Sequence, residues 1–253
     1  MYFESHAHYD DKRFDDDRYE LINRLHDSDG VHTIINIGCD LPTSLSSLSL
    51  ADTYDFVYAA VGVHPHEADS LDEKGISLLR ELSKEEKAVA IGEIGLDFYY
   101  DHSPRDIQRY WFKRQLELAK EVDMPVIIHS RDAAQETFDM IKESGVRKGV
   151  IHCYSGSAEM AAEYVKMGFK IGVGGVVTYK NSKKLIETVE KISVNDILIE
   201  TDSPYLAPSV VRGTRNDSSN LKYVVEKIAK LKNMTVEDVA RITSDNAVEL
   251  FFK

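Results

Sequence analysis

Eight short runs of β-branched and other apolar residues recur along this chain, and their regular return constrains the fold more than any other feature. They lie near Tyr2 to His6, Thr33 to Ile37, Phe56 to Val63, Ala88 to Ile91, Val126 to His129, Gly149 to His152, Phe169 to Val173 and Ile197 to Thr201. Most are continuously apolar, as parallel strands covered on both faces are, and they start about 20 to 40 residues apart. Each interval has room for a crossover helix. Amphipathic patterns run from Ile107 to Val122, Ala133 to Lys142, Ala158 to Lys166, Lys183 to Lys191 and Asn220 to Leu231. Ser103-Pro104-Arg105-Asp106 reads as an N-cap followed by proline at the first helical position, and Pro125 ends that helix. Unbroken β-α alternation over 253 residues predicts one α/β domain spanning residues 1–253, either a closed barrel or a doubly wound sheet.

The placement of the polar residues favours the barrel. His6 and His8 end the first run, His64 the third, Glu93 the fourth, His129 the fifth, His152 the sixth and Asp202 the eighth. A TIM-type (β/α)8 barrel builds its active site from the C-terminal ends of several strands at once, which is where these side chains fall. His6-Ala7-His8 puts two imidazoles on one face of an extended segment, able to chelate one ion. Glu93 interrupts the apolar run Ala90-Ile91-Gly92-Glu93-Ile94-Gly95-Leu96-Asp97, so its buried carboxyl group needs a cation, a set of hydrogen bonds or a proton. Gly92 and Gly95 permit close backbone approach around it.

Each residue alone has a structural explanation. The histidines can be hydrogen-bonded core groups, Glu93 can be held by backbone amides, and Asp202 can cap a turn. Four histidines and two carboxylates at one face fit a binuclear metal site better, with a carboxylate shared by ions roughly 3.5 to 4 Å apart. Mixed nitrogen and oxygen donors suit transition metals better than an all-oxygen cage, and the element stays open. Other nucleophile schemes fit less well. Cys153 follows His152 directly, so the two should face opposite sides of the strand. No Gly-x-Ser-x-Gly elbow occurs, and Gly172-Val173-Gly174-Gly175 lacks the lysine of a phosphate-binding loop, reading instead as a strand end that lets backbone approach the site.

Composition narrows the setting. The chain is 43% apolar and 29% charged, as in an ordinary globular protein. No stretch approaches the length of a membrane span, and the N-terminus lacks the basic and apolar regions of a signal peptide, so a cytoplasmic protein is expected, with Cys39 and Cys153 reduced. A formal net charge of −12 disfavours broad adhesion to nucleic acid while leaving room for a locally basic site.

The ordered segments His6-Ala7-His8, Gly62-Val63-His64-Pro65-His66, Gly92 to Asp97, His129-Ser130-Arg131, His152 to Gly156, Glu200 to Leu206 and Arg212 to Asn216 resemble those of the TatD family of metal-dependent deoxyribonucleases, within the amidohydrolase-like barrels. The resemblance covers nearly the whole chain. It implies that His6, His8, Glu93 and Asp202 bind one divalent ion while Glu93, His129 and His152 bind a second, with Glu93 as the bridge. Mg, Mn, Zn, Ni and Co are all candidates. It also implies DNA as substrate, as single strands or ends, with no membrane and no required protein partner.

Asp202 and Glu93 are then the expected catalytic groups, Asp202 orienting or deprotonating water. His64, Arg131, Arg212 and Arg215 are the expected phosphate contacts. Lys180, Lys183 and Lys184 extend a basic rim or simply open a solvated helix, and Tyr99, Tyr100, Tyr154 and Tyr205 stack bases or pack. One segment departs from the family, because Asn216 is followed by Asp217-Ser218-Ser219 where members carry an acid and then a proline, and Pro208-Ser209-Val210-Val211 lacks a second proline. The residues leave two further readings open. A small-molecule amidohydrolase would keep the metals and act on an amide, lactone or phosphoester, and a non-catalytic barrel would only bind a partner.

Overall fold

The computed structural model describes residues 1–253. All eight expected strands form: β1 (Tyr2–Ala7), β2 (Val31–Ile37), β3 (Val57–Val61), β4 (Ala88–Asp97), β5 (Val126–Arg131), β6 (Gly149–Ile151), β7 (Phe169–Val173) and β8 (Ile197–Ile199). Each pairs in parallel with the next, in sequence order. The ring closes where Ala7 bridges Ser203, the His8 amide donates to the Ser203 carbonyl at 2.8 Å, and the Asp202 amide donates to the His6 carbonyl at 2.9 Å. The fold is a (β/α)8 barrel.

Around the strands lie α1 (Arg18–Asp27), α2 (Leu41–Ala51), α3 (Glu73–Leu82), α4 (Arg105–Glu121), α5 (Ala134–Ser144), α6 (Ala158–Lys166), α7 (Lys183–Lys191), α8 (Leu221–Lys232) and α9 (Val236–Phe252). The five helical patterns expected from Ile107 onward correspond to α4 through α8. The helices α1, α2, α3 and α9 go beyond the sequence expectation. The serine-rich α2 has little amphipathic contrast and relies on a capping box, in which Asp40 accepts from the Thr43 amide while the Thr43 hydroxyl faces the Asp40 amide. Ser103 is not the cap of α4, contrary to expectation. Pro104 holds that position, and the Ser103 hydroxyl donates to the His66 carbonyl at 2.8 Å and accepts from the Asp69 amide, tying the loop after β3 to the loop after β4. No helix is long and apolar enough to cross a membrane.

The apolar side chains divide into two bodies. Phe3, Ile35, Ile37, Ala60, Ala90, Ile127, Val150 and Leu198 fill the barrel, whose N-terminal end is plugged by Ala247, Leu250 and Phe251 of α9. A larger layer, including Ile34, Ile91, Ile94, Ile128, Ile151 and Ile171, packs the outer strand faces against the helices. Burial on both faces explains why the strands read as continuous apolar runs.

Two breaks in register aim the site. Phe3 faces the interior while Ala7 lies in the outer layer, although both have odd numbers, and the irregularity in β1 falls between Glu4 and Ala7. A second break in β4 lies between Ile91 and Ile94, around Glu93. Each changes which residues face inward. Gly95 is also required here: its φ is 151°, and a Cβ at this position would overlap the His129 carbonyl.

Candidate metal centre

The interior faces of β5, β6 and β8 each continue upward from an apolar residue to a polar one. Ile127 is followed two residues later by His129, Val150 by His152, and Leu198 by Glu200 and then Asp202. With the breaks in β1 and β4 turning His6, His8 and Glu93 inward, these side chains meet at the C-terminal mouth. Glu93 stands at the centre. Its carboxylate oxygens lie 2.9 Å from His129 Nδ1, 3.5 Å from His6 Nε2, 3.8 Å from His152 Nε2 and 3.9 Å from His64 Nε2. Asp202 Oδ1 lies 3.5 Å from His8 Nε2, 3.7 Å from His6 Nε2 and 3.8 Å from His152 Nε2. The Nε2 atoms of His6 and His8 are 3.2 Å apart.

These spacings suit shared coordination. Two donors each about 2.0 to 2.2 Å from one ion stand roughly 3 to 4 Å from one another. The far sides of the imidazoles support the same conclusion. His8 Nδ1 faces the Ile37 carbonyl at 3.1 Å, His129 Nε2 faces Asp97 Oδ2 at 3.1 Å, and His152 Nδ1 faces Glu200 Oε2 at 3.2 Å. For His8 and His129 the acceptor at the remote nitrogen keeps the proton there and leaves the other lone pair pointing into the cluster, as in carboxylate–histidine–metal arrangements, whereas His152 Nδ1 and Glu200 Oε2 lie close without a hydrogen bond between them. The Nδ1 of His6 is buried with no hydrogen-bond partner, and its ring lies flat on that of His152 with centroids 3.4 Å apart. His64 differs. Its Nδ1 accepts from the His66 amide at 3.1 Å, so the neutral ring carries its proton on Nε2 and offers a donor, not a lone pair.

The electrostatics follow from burying acids and imidazoles together. Burial works against the charge on Glu93, yet His152, His64, His6 and His129 hold it well below the usual carboxylate range. Burial likewise opposes ionisation of Asp202, and His8, His152 and His6 overcome it. Burial also opposes charge on His152, but Glu200 and Glu93 push it up to about 9. His129 is raised against burial by Asp97 and Glu93, whereas burial and its histidine neighbours depress His6 and His64. Protons on some imidazoles thus balance the two carboxylates when no other cation is present.

Three acids that the sequence did not mark complete the site. Glu200 accepts from the Cys153 amide at 2.6 Å while facing His152, and a Cβ at Gly172 would lie 2.5 Å from its Oε2. The glycine-rich strand end therefore makes room for a carboxylate. Asp97 accepts from the Tyr99 and Tyr100 amides and lies 2.9 Å from His66 Nε2, holding His129 and His66 together. Glu4, buried and raised by that burial to about 7, accepts from the amides of His6 and Thr201 and the hydroxyls of Thr201 and Ser218. Its contact with Ser218 gives the unusual loop a physical basis. The Ser218 amide donates to the Tyr9 hydroxyl at 2.9 Å and its own hydroxyl donates to Glu4 at 2.8 Å, neither of which proline can do. The signal for Glu200 was present in its spacing from Leu198, and that for Asp97 in its position at the end of β4.

The surrounding residues separate into free and engaged groups. Arg131 lies over the Tyr99 and Tyr100 rings, and Arg212 lies over Tyr179. Arg215, expected to face phosphate, is instead paired with both Asp17 oxygens at 2.6 and 2.7 Å and lies over Phe14. Tyr154 is buried with its hydroxyl on the Ser157 carbonyl, which makes it a packing residue, while Tyr99, Tyr100 and Tyr205 are exposed. Lys180, Lys183 and Lys184 are exposed at and before the start of α7.

The sequence matches the family described as TatD related DNase over residues 3–252. The chain belongs to this family. It is 46% identical over 253 residues to YabD of Bacillus subtilis (strain 168), described as an uncharacterized metal-dependent hydrolase, with 99% of each chain covered. It is 33% identical over 247 residues to the 3'-5' ssDNA/RNA exonuclease TatD of Rahnella sp. (strain Y9602), covering 94% of each. The crystal structure of YJJV, a TatD homolog from Escherichia coli K12, superposes with a TM-score of 0.93 at 31% identity, covering 99% of this chain and 97% of the other. This TatD-family chain is a metal-dependent hydrolase by family, and its donor cluster occupies the mouth that such chemistry requires.

The Glu200 contact yields a prediction about metal binding. Glu200→Gln keeps the shape but removes the charge beside His152, and should weaken divalent-ion affinity about 10- to 100-fold. Isothermal titration of the metal-free protein measures this, and unchanged affinity would show that Glu200 only fills space beside Gly172.

Proposed function

We propose that the protein hydrolyses phosphodiester bonds of nucleic acid, DNA in particular, using two divalent ions held at the barrel mouth. The observation that carries this reading is the convergence of ring nitrogens from three strands on the Glu93 carboxylate, with the remote nitrogen of His129 bonded to Asp97 and that of His152 facing Glu200. His6, His8, Glu93 and Asp202 would hold one ion and Glu93, His129 and His152 the other. Such ions supply Lewis acidity toward a phosphoryl oxygen and lower the pKa of water. Asp202, ionised and partly open to solvent, accepts the proton of the attacking water as the water oxygen forms a bond to phosphorus, and gives that proton to the ester oxygen that leaves as its P–O bond breaks. His64 offers its Nε2 proton to a non-bridging oxygen.

The exposed guanidinium groups of Arg131 and Arg212 favour a phosphate substrate over an amide or lactone, and the Rahnella relative's described activity points the same way. Purified protein supplied with Mg, Mn, Zn, Ni or Co should release nucleotides from single-stranded DNA and leave acyl substrates intact. Release of no nucleotide with any of these ions, alongside turnover of an acyl substrate, would overturn the proposal.

A further inference from the structure

Strand alternation would turn Cys153 away from His152, but β6 already ends at Ile151 and alternation no longer governs the two residues. Cys153 takes a left-handed backbone with φ of 45°, and its sulfur comes back towards its neighbour. A ring nitrogen of His152, Cys153 Sγ and a carboxylate oxygen of Glu200 lie within 4.8 Å of one another. The expectation that the cysteine and histidine face opposite sides is thereby corrected.

Two donors of this group have no other hydrogen-bonding use. His152 Nδ1 and Glu200 Oε2 are buried, 3.2 Å apart, and neither has a hydrogen-bond partner. The other oxygen of Glu200 accepts from the Cys153 amide at 2.6 Å, which fixes the carboxylate beside the thiol. Cys153 itself is half-buried and open to an ion arriving from solvent. Donors 2.0 to 2.3 Å from a shared ion stand about 3 to 4 Å apart, so the nitrogen and oxygen are already spaced for one. Burial and the carboxylates of Asp202, Glu200 and Glu93 hold the Cys153 thiol well above its ordinary pKa, which makes it a poor nucleophile, whereas a coordinated dication removes its proton outright. Cys39 lacks such a group. Its Sγ lies 3.7 Å from His8 Nδ1, but that nitrogen faces the Ile37 carbonyl.

We propose that His152 Nδ1, Cys153 Sγ and Glu200 Oε2 form a separate site for a thiophilic divalent ion of the zinc class, and that an ion held there inhibits hydrolysis through the His152 ring. Sulfur sets the preference, since Zn²⁺ and Cd²⁺ bind thiolate whereas Mg²⁺ and Mn²⁺ favour oxygen. Binding releases the thiol proton and the Nδ1 proton to solvent and leaves the ring bridging two ions. A carboxylate at the remote nitrogen strengthens a histidine as a ligand, and a dication in its place weakens it. The inhibition rests on the reading above in which His152 Nε2 holds a catalytic ion; binding of the thiophilic ion does not.

The test titrates full-length, Mn²⁺-loaded protein with Cd²⁺, reading the ultraviolet thiolate-to-Cd²⁺ charge-transfer band and the ions retained per chain. The parent should develop the band and retain one ion more than with Mn²⁺ alone. Cys153→Ser and Cys153→Ala should lose both, while Cys39→Ser keeps them. With bis-p-nitrophenyl phosphate as substrate, excess Zn²⁺ should lower the Mn²⁺-supported kcat about 10-fold in the parent and leave Cys153→Ser unaffected. No band in the parent, or a band that survives in Cys153→Ser, would overturn the site. Equal inhibition of parent and Cys153→Ser would show that Zn²⁺ acts at the Glu93 cluster and overturn the inhibitory role. A parent that hydrolyses no phosphodiester would sink the nuclease reading, with the band and the ion count still deciding this site.

Discussion

Glu93→Gln is expected to lower kcat/KM by roughly 1000-fold or more and to reduce the number of divalent ions retained per chain. The substitution keeps size and shape but removes the negative charge on which His6, His129 and His152 converge. In the proposed arrangement Glu93 is the one donor that both ions share, so its loss weakens both sites at once. Glu93→Asp keeps the charge and shortens the reach, and should fall between the parent and the Gln variant. Elemental analysis and steady-state kinetics measure the two effects, with far-UV circular dichroism confirming that the barrel is intact. A folded Gln variant that kept both ions and activity within 10-fold of the parent would remove Glu93 from its bridging role.

Metal affinity should depend steeply on pH. In the metal-free protein Glu200 and Glu93, overcoming burial, raise His152 to about 9, so below that pH an incoming ion must displace its proton. One displaced proton lowers apparent affinity about 10-fold per pH unit, and His129, which is also raised, adds to the slope. Between pH 8 and pH 6 the apparent dissociation constant should therefore rise about 100-fold or more. Titration calorimetry at several pH values, in buffers of different ionisation enthalpy, reports both the affinity and the protons released. Stability runs the other way in the metal-free protein. The raised folded-state pKa of His152 contributes stability that is fully present below its ordinary value near 6.5 and is lost as pH rises through 9. A flat affinity profile across this range would show that His152 carries no proton in the metal-free site.

The positions of the candidate ligands at strand ends were legible because a parallel barrel leaves a simple trace: a continuous apolar run followed by a polar residue. His129 and His152 follow interior residues by two positions, so period-two alternation is enough to turn them inward. The same rule reaches Glu200 from Leu198, although an acid beside Thr201 and Asp202 is easily taken for part of a turn. Asp97 reads as the last residue of a strand, and only the packed structure shows it holding both His129 and His66.

The inward aim of His6, His8 and Glu93 is different, because it depends on register breaks in β1 and β4 that alternation alone does not reveal. A break in register reflects how neighbouring strands pair around the ring, a long-range property. The fate of the arginines is decided at long range too. Arg215 is separated by 198 residues from Asp17, the acid that occupies it, while Arg131 and Arg212 keep their hydrogen-bond edges free. Local sequence therefore determined the barrel, its eight strands and the identity of the residues at its mouth, since apolar period and strand length are encoded over a few neighbours. Which nitrogens keep their lone pairs, which acids hold them and which cations stay unpaired was decided only by tertiary structure, because those properties depend on partners that closure of the ring brings together.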